Sequence, residues 1–171
     1  MPCLNVEHID DRGEPITAGM GDVWAVQAAE DALEGKPTHV AVDWSVRRAH
    51  GHVFVTGTAE ASAPRTCERC GETTSLNVQT DVDLSYVPEA RHGVEVPENE
   101  LKADELDVGW YAGGHLDLSD TLREALALAL PPRVVCEDVA ACDARTHALL
   151  AGGSEIAGHP GFAALRNWSK H

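Results

Sequence analysis

Apolar and polar residues alternate from Thr38 to Val46, with Val40, Val42, Trp44 and Val46 on one side. A period of two is the strand signature. Arg47–Gly51 reads as a turn, and His52–Ala59 follows as a second strand, so the pair predicts an antiparallel hairpin. A third alternation covers Leu76, Val78, Thr80, Val82 and Leu84, with Tyr86 and Val87 extending it towards Pro88. The short apolar run Val23–Val26 adds to a β-rich first third. Gln27–Leu33 suits a short helix, closed by Gly35 and Pro37. Further along, Leu118, Leu122, Ala125, Leu126 and Ala129 recur at helical spacing. They predict the main helix, from about Ser119 to Leu130. Asp117 or Ser119 can cap it, Asp120 suits its N-terminal dipole, and Pro131-Pro132 stops it. Phe162–Trp168 predicts one or two docked helical turns near the C-terminus.

These elements predict an α+β fold. It has an antiparallel β-sheet or partial barrel in the N-terminal half, one main helix, and a cysteine-bearing C-terminal segment tied by a zinc site. The expected organisation is one domain over residues 1–171: a β-rich region at 20–87, an acidic loop at 88–109, the helix at 117–130, and the cysteine loop and C-terminal segment at 131–171. The 88–109 stretch reads as a loop because it holds two prolines, two glycines and seven carboxylates.

Charge narrows the partners. Thirteen basic against 28 acidic residues give a formal net charge of −15. That disfavours direct nucleic-acid binding, which depends on Lys and Arg displacing phosphate counterions. It suits a basic protein partner. No apolar run approaches the roughly 20 residues of a membrane span. The N-terminal segment lacks the basic and apolar regions of a signal peptide. The expectation is therefore a cytoplasmic protein without a membrane partner.

In that compartment disulfides are disfavoured, and the five cysteines read as metal ligands or redox groups. Cys67-Glu68-Arg69-Cys70-Gly71 is a C-x-x-C-G knuckle between two predicted strands. Its tight turn can aim backbone N–H groups at two thiolates, and Gly71 supplies the positive φ such a turn needs. Two further ligands are required. Cys136 and Cys142 are the natural candidates, on the loop after Pro131-Pro132, with a short turn or one helical turn at Glu137–Ala141 bringing their sulfurs together. His147 is the alternative ligand, and buried free thiols at 136 and 142 are the competing structural reading. Cys3 stands apart. A thioredoxin-like role for Cys67 and Cys70 would need the motif at a helix N-terminus, whereas strands flank it here. Four ligands would close the coordination sphere, as in a structural rather than a catalytic zinc site.

The chain contains no H-E-x-x-H, G-x-S-x-G, G-x-x-x-x-G-K-[ST] or helix-opening G-x-G-x-x-G motif. The sequence therefore predicts no enzyme. A metal-dependent hydrolase or thiol redox protein is one alternative, and a metal-free acidic interaction module is the other.

The order of these features resembles the YceD family of bacterial and plastid proteins. A β-rich region leads to Thr66-Cys67-Glu68-Arg69-Cys70, then to an alternating strand and an acidic loop. The helix Leu116–Pro131 runs into the cysteine loop, and His159-Pro160-Gly161-Phe162-Ala163-Ala164-Leu165 lies near the end. The resemblance covers roughly residues 20–168. Gly71 and His159 depart from the Leu and Asp usual in the family, and the cysteine loop lacks the fuller cysteine set of many members. What the resemblance implies is a non-enzymatic role in large-subunit ribosomal RNA accumulation and ribosome biogenesis, with a basic ribosomal or assembly protein as the expected partner.

Overall fold

The computed structural model describes residues 2–89 and 108–152. Its centre is a five-stranded sheet. The strands are β2 (Glu14–Gly19), β3 (His39–Ala49), β4 (His52–Thr66), β5 (Thr73–Pro88) and β6 (Val108–Tyr111), and they lie in that order across the sheet. β2 to β5 are antiparallel, and β6 joins β5 in parallel. A small antiparallel pair, β1 (Cys3–Asn5) with β7 (His115–Asp117), stands beside it. The helices are α1 (Val23–Leu33), α2 (Leu118–Leu128) and α3 (Val139–Gly152).

The α+β class stands as expected, and so does the β3–β4 hairpin. Its turn is tighter than the sequence implied. β3 continues to Ala49, leaving only His50 and Gly51 as the loop, with φ of 53° and 80°. Two positive φ values in a two-residue loop give the twist that suits paired strands. Trp44 faces Ile16 and Gly57 across the ladder, and Val46 faces Val55. Val40, Val42, Trp44 and Val46 are all nearly inaccessible. α1 and α2 pack on this apolar face, and the opposite face carries polar residues such as Asp43, Thr58 and Asp81.

One expectation changes. Val23–Val26 is the first turn of α1, not β-structure. Ala25, Ala28, Ala29, Ala32 and Leu33 are buried at helical spacing, a period that a four-residue window cannot reveal. Beside the main helix and the short helix expected at Gln27–Leu33, which α1 contains, a third helix, α3, forms over Val139–Gly152. Of the two expected arrangements, a sheet or a partial barrel, the described residues form the sheet, which is open and mixed with β2 and β6 at its margins. The main helix is capped by Asp117, whose carboxylate accepts from the N–H groups of Ser119 and Asp120. Thr121 on its first turn accepts from the Tyr86 hydroxyl at 3.1 Å, fixing α2 to β5. Most of the expected acidic loop and the C-terminal helical turns lie outside the described residues. Among the described residues, no helix is long and apolar enough to cross a membrane.

Candidate metal centre

β4 and β5 stay paired as far as Thr66 and Thr73. The knuckle is therefore the tip of a long hairpin. The Cys67 N–H donates to the Glu72 carbonyl at 2.7 Å, and the Gly71 N–H donates to the Cys67 carbonyl at 2.9 Å. These bonds close the loop. Gly71 has φ of 77° with open space where a Cβ would stand, so backbone conformation rather than crowding calls for glycine there.

The other two thiols arrive from the far side. After α2, the chain docks against the knuckle: the Glu68 N–H donates to the Val134 carbonyl at 2.9 Å. Cys136 follows on this loop. Asp138 then caps α3, its carboxylate accepting from the Ala141 N–H at 2.9 Å. Cys142 sits in the first turn of that helix, its N–H bonded to the Asp138 carbonyl. The expected helical turn between Cys136 and Cys142 is thus the start of a 14-residue helix.

All four predicted residues come together. The Sγ atoms of Cys67, Cys70, Cys136 and Cys142 lie within 4.8 Å of one another, and all four residues are buried. Cys67 and Cys142 are 3.7 Å apart, Cys70 and Cys136 3.6 Å. A disulfide requires about 2.05 Å. A tetrahedral ion with metal–sulfur distances of about 2.3 Å requires about 3.8 Å between sulfurs. The observed spacings match the second geometry. His147 is exposed and outside the group, and Cys3 is exposed near Asp117.

The four thiols differ in how readily they ionise. Backbone N–H donation, chiefly from Cys70, draws the Cys67 thiol down to about 6. Burial and the neighbouring sulfurs push Cys142 up to about 12, and burial also raises Cys136. Backbone N–H donation, chiefly from Glu72, also lowers the Cys70 thiol, so the two knuckle thiols ionise more readily than Cys136 and Cys142. A divalent ion held by the four sulfurs would offset the repulsion among them and let all four act as thiolates.

Residues around the thiols went unread in the sequence. Arg145 Nη2 donates to Cys136 Sγ at 3.4 Å, and the Cys70 and Cys136 sulfurs hold its guanidinium firmly charged. Arg69, inside the knuckle, pairs with Asp143 at 2.5 Å. The Thr146 hydroxyl donates to the Arg69 carbonyl at 3.4 Å and to the Cys142 carbonyl at 2.9 Å. Asp143, Arg145 and Thr146 follow Cys142 by one, three and four residues, which is one helical face and flank. That spacing was a usable signal once α3 was recognised.

A protein-family model described as large ribosomal RNA subunit accumulation protein YceD matches residues 55–167. The match covers more than half of the chain, which belongs to the YceD family. It begins at β4, later than the resemblance noted from about residue 20, so β1, β2, α1 and β3 precede it. No curated protein and no solved structure gave a match.

Proposed function

We propose that this YceD-family chain is a non-enzymatic factor supporting large-subunit ribosomal RNA accumulation, built around a structural zinc ion and acting through contacts with basic ribosomal or assembly proteins. One observation carries the zinc reading: four buried sulfurs from two distant segments meet at tetrahedral spacing. Zinc suits such a donor set. Cys67, Cys70, Cys136 and Cys142 would hold it, and the bound ion supplies no reaction here. It offsets thiolate charge and joins the hairpin tip to α3.

The ribosomal assignment rests on the family description. The non-enzymatic reading is supported by the donor set, because four thiolates leave no coordination position for water. The −15 charge supports a basic protein rather than bare RNA as the contact.

The test is genetic and biochemical together. Cells lacking the gene should accumulate less large-subunit ribosomal RNA than small-subunit RNA. The native chain should restore the ratio, and Cys67→Ser, Cys142→Ser and other zinc-null variants should not. An unchanged ratio on gene loss would contradict the ribosomal role. Full rescue by zinc-null variants would contradict the need for the ion.

A further inference from the structure

β6 pairs only with Ser85–Pro88 of β5. Among the described residues, no strand pairs with that side of Thr73–Leu84, so within them these twelve residues of β5 form an open edge. Open edges are templates for an added strand. Beside this edge runs α2, and the two enclose a groove of about 370 Å³. Its floor is apolar: Val82 and Leu84 from β5, Ala125 and Leu128 from α2. Leu128 is 79% exposed although it lies on an otherwise docked helix. The charged residues lining the groove are all acidic. Glu124 lines it from α2, and Asp81 and Asp83 belong to the same stretch of β5, alternating with Val82 and Leu84 so that their side chains stand on the other face of the sheet. The groove continues past Glu124 and Leu128 into a cavity of about 780 Å³ beside β6 and β7, where Asp117 and Asp120 add to the acidic lining.

We propose that this groove receives an extended, lysine- or arginine-rich protein segment, which adds as a strand to β5 and places alternate apolar side chains between β5 and α2. Backbone pairing would use this edge, and the period-two alternation of a strand fits a β5 segment with Val82 and Leu84 on one face and Asp81 and Asp83 on the other. Charge complementarity selects the partner: alternate lysine or arginine side chains of an added strand would face Asp81 and Asp83 on the other side of the sheet, with Glu124 across the groove, on a chain of net charge −15. A nucleic-acid strand would meet the same carboxylates as repulsion. The inference rests on the proposed function for its biological setting, but not for its geometry.

The test uses the full zinc-loaded chain and a short synthetic peptide of alternating lysine and valine. Fluorescence anisotropy at low ionic strength should show binding, and hydrogen exchange should show new protection on the β5 edge. Asp81→Asn, Asp83→Asn and Glu124→Gln combined should weaken binding about tenfold. A control with the same charge change elsewhere, Glu7→Gln, Asp11→Asn and Glu30→Gln, should stay within about twofold. The same peptide with alternate backbone amides methylated should lose binding, because it cannot pair. Equal losses in both triple variants, unaffected binding of the methylated peptide, or protection of the β5 edge by an RNA oligomer in place of the peptide would each overturn the proposal. So would capture of basic ribosomal proteins undiminished by the groove substitutions, an outcome that leaves the ribosomal reading intact. Peptide binding at the groove with no effect of gene loss on ribosomal RNA would instead uphold the groove and remove the ribosomal reading.

Discussion

α2 and α3 are helices of comparable length, 11 and 14 residues, held in place by different physics. α2 buries Leu118, Thr121, Leu122 and Leu126 against the sheet and α1. Each buried leucine contributes roughly 1.5–3 kcal/mol. α3 buries Cys142 alone, while Val139, Leu149 and Leu150 are exposed. Among the described residues it is also held by polar contacts, the Arg69–Asp143 pair and the Thr146 and Arg145 hydrogen bonds. The four cysteines form a buried cluster separate from the main apolar core. Hydrophobic burial therefore accounts for α2, whereas among the described residues α3 buries only a candidate metal ligand, and its docking is the part that the proposed ion would supply.

The largest expected effect falls on that distinction. Structural zinc binding is worth on the order of 10 kcal/mol in small zinc modules, and Cys67→Ser should reduce bound zinc from one equivalent to none. Hydrogen exchange should show α3 losing its protection while β3, β4 and α2 keep theirs. Simultaneous collapse of both regions would erase the contrast between them.

Leu122→Ala acts on the other region. Leu122 is fully buried on α2, so its truncation should cost about 3 kcal/mol of global stability in urea unfolding, with zinc stoichiometry unchanged. Loss of zinc in this variant would mean that the core and the metal end are one cooperative unit.

Proton release sharpens the account at intermediate scale. Cys136 and Cys142 have raised thiol pKa values, so both are protonated at pH 8 before metal binds. Loading zinc at that pH should release at least two protons, read as a dependence of calorimetric enthalpy on buffer ionisation. The sign follows: acidification returns protons to the thiols and weakens zinc binding. Metal uptake without proton release would contradict four-thiolate coordination.

Two smaller effects probe the polar attachments of α3. Asp138→Ala removes its cap and should cost about 1 kcal/mol of local helix stability in the zinc-loaded protein, seen as faster exchange in the first turn. Arg69→Ala breaks an ion pair whose side chains are both partly exposed, and should cost only about 0.5 kcal/mol.

The same contrast explains what could be read in the sequence. β3, β4, β5 and α2 bury one face each, so burial imprints a period of two or 3.6 on the residues. The Cys67/Cys70 knuckle was legible because two ligands of one ion must sit at fixed spacing. α3 was not, since the one residue it buries is Cys142, and Val139, Leu149 and Leu150 are exposed, so burial leaves no apolar stripe to read. The convergence of Cys136 and Cys142 on the knuckle was inferred from the need for four ligands. It is visible only when the loop after α2 is folded back on Glu68. β1, β6 and β7 are three- or four-residue strands paired across long chain separations, too short to carry a periodic signal. α1 was placed late because its opening Val23–Val26 is apolar throughout.

X-ray absorption at the zinc edge of the purified, metal-loaded protein tests the central claim most directly. Four sulfur neighbours at about 2.3 Å are expected, with no nitrogen or oxygen in the inner shell. A shell containing a histidine nitrogen or water, or a protein that takes up no stoichiometric zinc, would contradict it.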